Sequence, residues 1–130
     1  MDRVSAREAH ALMEHEGYVY LDVRTQPEFA EGHPPGALNV PWLEPGPAGM
    51  VANPSFVSLV ESALSREARI VVGCASGVRS LAAAQLLVER GFLHVCEQRA
   101  GMSGVRDPFG RVREPGWRDA GLPVVTAEEV

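Results

Sequence analysis

The sequence predicts a single α/β domain with a mostly parallel central sheet flanked by helices on both faces. Three observations lead there. Short apolar runs alternate with segments of helical periodicity along the whole chain, the pattern of strands joined by crossover helices. Capping residues open several of the helical segments and glycines close them. The 130 residues are the length of one ordinary domain, able to bury a core without metal or disulfide staples, and the predicted domain spans residues 1–130.

Ser5-Ala6-Arg7-Glu8 fits a capping box in which Ser5 caps and Glu8 reaches back. The helix it opens runs to about Glu16, and Gly17 ends it. Residues 18–23 form an apolar strand. Thr25-Gln26-Pro27-Glu28 opens a brief second helix that ends near Gly32. His33-Pro34-Pro35-Gly36 is a turn, and residues 37–40 form a short strand stopped by Pro41. Residues 45–49 read as a Pro/Gly-rich loop.

Asn53-Pro54 opens a third helix, with Asn53 as cap and Pro54 in the first helical position. Phe56, Val60 and Leu64 recur at i, i+4 and i+8 and mark its buried face. Residues 69–73 form the next strand. The helix of residues 81–90 places Leu81, Ala84, Leu87 and Val88 on one stripe and Gln85 and Glu89 opposite. Gly91 terminates it, and residues 93–97 form another strand. Residues 103–116 are irregular and arginine-bearing, and residues 117–125 close the domain.

Composition narrows the function classes. Hydrophobic content of 45% with only 22% charged residues excludes a disordered chain. A net charge of −5 argues against a nucleic-acid or anionic-membrane partner. All 12 basic residues are arginine, so no lysine Schiff-base or P-loop chemistry is available. Two cysteines at non-motif spacing exclude a zinc site and fit a reducing, cytoplasmic setting better than a disulfide scaffold. The first residues lack a signal-peptide core, and no apolar run reaches the ~18 residues of a membrane helix.

Residues 74–80 read Cys74-Ala75-Ser76-Gly77-Val78-Arg79-Ser80, between an apolar strand and a helix. A cysteine is thereby placed at the carboxyl end of a strand, where ligands of α/β folds sit. The N–H groups of Ala75, Ser76, Gly77, Val78 and Arg79 are expected to line a bowl around the sulfur. Gly77 supplies the conformational freedom for close approach. Such amides, with the start of a helix, favour an anion and hold a cysteine as the nucleophilic thiolate. The Arg79 guanidinium offers paired donors to a sulfonate, sulfate or phosphate group.

This loop resembles the active-site loop of rhodanese-like sulfurtransferases. A second segment agrees: Tyr20-Leu21-Asp22-Val23-Arg24, then Glu28-Phe29, then Gly32-His33-Pro34-Pro35-Gly36-Ala37-Leu38-Asn39-Val40-Pro41 resembles that family's N-terminal signature. Ala120-Gly121-Leu122-Pro123-Val124 resembles its C-terminal end. The resemblance covers nearly the whole chain and is to the single-domain form.

The resemblance implies ping-pong sulfur transfer. Cys74 attacks the outer sulfur of thiosulfate, with sulfite leaving, or of another donor, and a Cys74 persulfide remains cradled by the loop amides. An acceptor (cyanide, a thiol or a protein) then takes the sulfur. No metal or organic cofactor is implied. Asp22 and Arg24 take supporting, structural roles, with Ser80 beside the loop. His33 is a weaker candidate for a base, because a deprotonated thiol needs none. Cys96 reads as a buried inert thiol, with a resolving cysteine as the sharper alternative.

The chain departs from the family at one place. Ala100-Gly101-Met102 stands where a Gly-Gly pair is usual, and Trp117 lies far downstream. Residues 103–116 therefore read as an insertion, either a solvated loop or a flap that recruits an anionic donor or acidic partner. Two other functions compete. A rhodanese-like module can bind or regulate without turnover. Cysteine phosphatases use Cys-x5-Arg, whereas this loop is Cys-x4-Arg, a smaller bowl that crowds a tetrahedral phosphate.

Overall fold

A computed structural model describes residues 1–127. Residues 128–130, part of the predicted domain span, lie outside the described residues. The element order is β1 (Arg3–Val4), α1 (Ala6–His15), β2 (Val19–Asp22), α2 (Gln26–Glu31), β3 (Leu38–Asn39), β4 (Leu43–Gly46), β5 (Gly49–Ala52), α3 (Phe56–Ala63), β6 (Arg69–Gly73), α4 (Val78–Glu89), β7 (His94–Gln98), β8 (Val105–Arg106) and β9 (Val112–Glu114). The main sheet has five strands in the order β1-β7-β6-β2-β3, and every pairing in it is parallel. The α/β class with helices flanking a parallel sheet is therefore observed.

Side-chain alternation along the strands divides the core. Leu21, Val23, Ile70, Val72 and Val95 pack with Phe56 and Val60 of α3 and with Ala83, Ala84 and Leu87 of α4. Tyr20, Val71 and Cys96, one residue out of step, pack with Ala6 and Ala9 of α1 and with Met102 and Trp117. Each fully buried aliphatic or aromatic side chain contributes roughly 1.5–3 kcal/mol. The three central strands are thus covered on both sides, which suits a parallel sheet.

Local signals behave as their chemistry dictates. The predicted capping box of Ser5 with Glu8 forms, and Thr25, at the predicted opening of the second helix, makes a capping box with Glu28. Gly17 follows α1 in the left-handed conformation, at φ 71°.

Four expectations are corrected. The segment read as a loop around residues 45–49 is the antiparallel hairpin β4–β5, turning at Pro47-Ala48 between paired Gly46 and Gly49. Residues 103–116 are not irregular throughout, because β8 and β9 pair as a second antiparallel hairpin. Helix α3 starts later than Asn53-Pro54, with Ser55 as its N-cap and no side-chain cap bond. Asn53 instead donates to the Pro41 carbonyl and accepts from the Ser55 N–H, pinning the turn ahead of the helix. The buried stripe of α4 is Ser80, Ala83, Ala84 and Leu87, while Val88 is exposed. The stripe rotates because the helix begins at the cysteine loop and must turn Ser80 inward.

Candidate active site

Strand β6 delivers the chain into the core and ends at Gly73, one residue before Cys74. Gly77 then turns the chain into α4 at φ 89°, a left-handed value. A Cβ at Gly77 would lie 2.2 Å from the Arg99 carbonyl oxygen, so both backbone angle and space require glycine.

Being glycine, the N-cap of α4 offers no side chain to the free amides of the first turn. The Cys74 sulfur takes that place. It accepts from the Gly77 N–H at 3.2 Å and from the Ser80 N–H at 3.3 Å. The thiol also donates to Ser80 Oγ at 3.2 Å. A sulfur held by two amides at a helix start sits in a field that favours negative charge. It is buried, with 1% of its surface exposed.

The far side of the loop is fixed by the segment after β7. Met102 N–H donates to the Cys74 carbonyl and Ser103 N–H to the Ala75 carbonyl, both at 2.9 Å. Gly101 has φ 65°, and a Cβ there would meet the Ala75 carbonyl oxygen at 2.2 Å. The Gln98 amide holds Gly101 in place, donating to its carbonyl at 2.9 Å and accepting from its N–H at 2.8 Å. Trp117, far along the sequence, returns to this point: its backbone N–H donates to the Gly101 carbonyl at 2.8 Å, and its ring is fully buried.

The other expected site residues fall as follows. Ser76 and Val78 lie at the loop's outer rim, and Val78 is 77% exposed. Arg79 turns toward α2, where Glu28 accepts from it twice, at 2.7 and 3.0 Å. That pairing, with the Thr25 hydrogen bonds, holds the Glu28 carboxyl well below its usual range, at about 2. Asp22 and Arg24 form a buried bidentate pair, and Arg24 also donates to the Gly32 carbonyl at 2.7 Å. This pair ties the end of β2 to the end of α2.

His33 is buried, with Nδ1 2.7 Å from the Phe29 carbonyl and its ring stacked on Phe29. Cys96 packs in the cluster opposite the one that contains Cys74. Burial first, then the nearby Asp2 and Glu97 charges, push its thiol up to about 11. Among the described residues, no group of His, Cys, Asp and Glu is arranged to hold a metal ion. No described helix is long and apolar enough to cross a membrane.

Sequence reasoning missed Glu97 and Arg3. Ser80 Oγ donates to Glu97 Oε2, and Arg3 Nε donates to Glu97 Oε1 at 2.6 Å. The available signal was a glutamate beside Gln98 in an otherwise apolar strand, a buried polar pair that needs a partner. Glu28 was noted only as part of a motif. Its partner lies 51 positions away, beyond any local pattern.

A parallel sheet that presents a cysteine loop at a strand end, backed by a helix start, defines an α/β protein with a candidate cysteine nucleophile. Residues 5–107 match the family described as Rhodanese-like domain. The chain belongs to the rhodanese-like domain family. It is 41% identical over 120 residues to the Arabidopsis thaliana protein named thiosulfate sulfurtransferase 16, chloroplastic, covering 92% of this chain and 89% of that one. It is 37% identical over 128 residues to thiosulfate sulfurtransferase 18 of the same plant, covering 97% of this chain and 85% of that one. The crystal structure of Rv0390 from M. tuberculosis superposes with a TM-score of 0.79 at 25% identity, covering 98% of both chains.

Proposed function

We propose that this domain is a sulfurtransferase that carries sulfane sulfur on Cys74. The observation that supports this most is the convergence of the Gly77 and Ser80 amides on the Cys74 sulfur. The thiolate attacks the outer sulfur of thiosulfate, the S–S bond breaks, and sulfite leaves with the bonding pair. The terminal persulfide sulfur then carries the negative charge that loop amides stabilise without reorganising. Cyanide, a thiol or a protein acceptor takes that sulfur and returns the Cys74 thiolate. The covalent persulfide is the only carrier this chemistry needs.

A groove of about 510 Å³ borders the loop, lined among others by Arg3, Ser76, Val78, Arg99 and Val105. The β8–β9 hairpin forms one wall and bears the exposed Arg111 and Arg113. Arg3 and Arg99 are paired with Glu97 and with Glu114, which also lines the groove, so attraction of an anionic donor or an acidic acceptor protein falls to the exposed Arg111 and Arg113.

The test is thiocyanate formation from thiosulfate and cyanide by wild type and Cys74→Ser. Activity that disappears in the variant supports the reading; equal activity in both sinks it. The 1% exposure of Cys74 favours a second reading, a binding module without turnover. That reading predicts no thiocyanate from wild type and partner binding that survives Cys74→Ser.

A further inference from the structure

Behind the nucleophile runs a continuous chain of polar side chains. The Cys74 thiol donates to Ser80 Oγ at 3.2 Å, the Ser80 hydroxyl donates to Glu97 Oε2, and Arg3 Nε donates to Glu97 Oε1 at 2.6 Å. Cys74, Ser80 and Glu97 are at most 1% exposed. They come from three elements: the end of β6, the first turn of α4, and β7. A hydroxyl between a thiol and a carboxylate can accept one proton while it donates another.

We propose that Glu97 is the internal acceptor of the Cys74 proton and that Ser80 carries it. The inference rests on the sulfurtransferase reading, in which Cys74 must become a thiolate. Two protons shift together. The sulfur gives its proton to Ser80 Oγ and keeps the electron pair of the S–H bond. Ser80 gives its own hydroxyl proton to Glu97 Oε2 and stays a neutral hydroxyl. Glu97 becomes a neutral carboxylic acid, and the net charge is unchanged. The Ser80 hydroxyl then points at the sulfur and adds a third donor to the two amides.

The surrounding charges act on both ends of the relay. Arg3, on β1, favours ionised Glu97, while the loop amides favour the thiolate. The other charges near the loop are paired: Arg79 with Glu28, Asp22 with Arg24, and Arg99 with Glu114. In the proposed relay Cys74 and Glu97 share one negative charge and one mobile proton. The thiolate share of such a pair does not change with pH between its two macroscopic steps.

The experiment is a pH titration of the thiolate's ultraviolet absorbance, with the Cys74→Ser curve subtracted. It is run on wild type, Glu97→Gln, Ser80→Ala and Ser80→Thr, each checked for folding by circular dichroism. Wild type is expected to show a partial thiolate signal that changes less than about twofold from about pH 6 to pH 8. Ser80→Thr keeps the hydroxyl and should keep this plateau. In Glu97→Gln and Ser80→Ala the proton must leave to solvent, so the signal should rise about tenfold per pH unit below its midpoint. Should Glu97→Gln fail to fold, the contrast between Ser80→Ala and Ser80→Thr decides.

A one-proton curve in wild type, no thiolate signal at neutral pH, or a plateau surviving in Ser80→Ala overturns the relay. The readout needs no sulfur transfer. A plateau without thiocyanate production would keep the relay and remove the sulfurtransferase reading, and the converse result would do the opposite.

Discussion

The Arg79 guanidinium and the Glu28 carboxylate meet through two hydrogen bonds, at 2.7 and 3.0 Å, and join the start of α4 to α2. The residue best placed by sequence to receive an anion is thus held by an internal carboxylate. Incoming thiosulfate would compete with Glu28 for the same donors. A partly exposed pair of this kind contributes at most about 1 kcal/mol to stability. Arg79→Ala should therefore cost about that much in unfolding free energy and at least about tenfold in kcat/KM for thiosulfate, more than 1.4 kcal/mol of transition-state binding. Proportionate losses in urea unfolding and in turnover would contradict a role in anion use.

The same pair fixes a pH dependence. Glu28 is held at about 2 by Arg79 and Thr25, against an ordinary value of 4.5. A depressed carboxylate stabilises the fold above its unfolded value and loses that contribution as pH falls toward its folded value. Wild type should exceed Glu28→Gln in melting temperature at neutral pH, and the gap should shrink as pH drops from 4.5 toward 2. A gap that stays constant over that interval would show that the pair does not titrate as described.

Gly101 supports the cysteine loop at close range. An alanine there must adopt φ 65° and would press against the backbone oxygens of Ala75 and Cys74, at 2.2 and 2.6 Å. Gly17, at φ 71°, has open space around it and pays only the left-handed cost, about 1–2 kcal/mol. Gly101→Ala should lose more stability than Gly17→Ala by at least about 1 kcal/mol, and should also lose sulfur loading. Equal chemical-denaturation midpoints for the two variants would mean that the contact is slack.

Asp22 is fully buried and is the carboxylate partner of buried Arg24. Asp22→Ala leaves that guanidinium without its counter-charge, a loss of about 3–5 kcal/mol. Thermal denaturation should show a fall far larger than for the half-exposed Glu61–Arg66 pair, whose removal costs at most about 1 kcal/mol. A small loss for Asp22→Ala would mean that Arg24 finds water or another acceptor.

Features that depend on neighbours in sequence were legible. The Ser5–Glu8 capping box, the helix opening at Thr25, the strand of residues 69–73 and the position of Cys74 at its end follow from patterns only a few residues long. Features that depend on distant partners were not. Strand β1 has two residues and exists because β7 offers an edge. Strand β4 contains Pro45 and Gly46, residues whose own preferences favour turns, so cross-strand pairing with β5 sets it. At the site, the strand–loop–helix setting of Cys74 could be read directly. The Glu28 partner of Arg79 and the Glu97 partner of Ser80 are brought in by the parallel sheet and its crossover helices, and no local spacing encodes them.

The central claim is that Cys74 carries sulfur, and intact mass spectrometry after incubation with thiosulfate tests it most directly. Wild type should gain the mass of one sulfur atom. Cys74→Ser should gain none, and cyanide should discharge the adduct. A wild-type protein that takes up no sulfur from thiosulfate or from a panel of persulfide donors, or an adduct that persists in Cys74→Ser, would contradict the account.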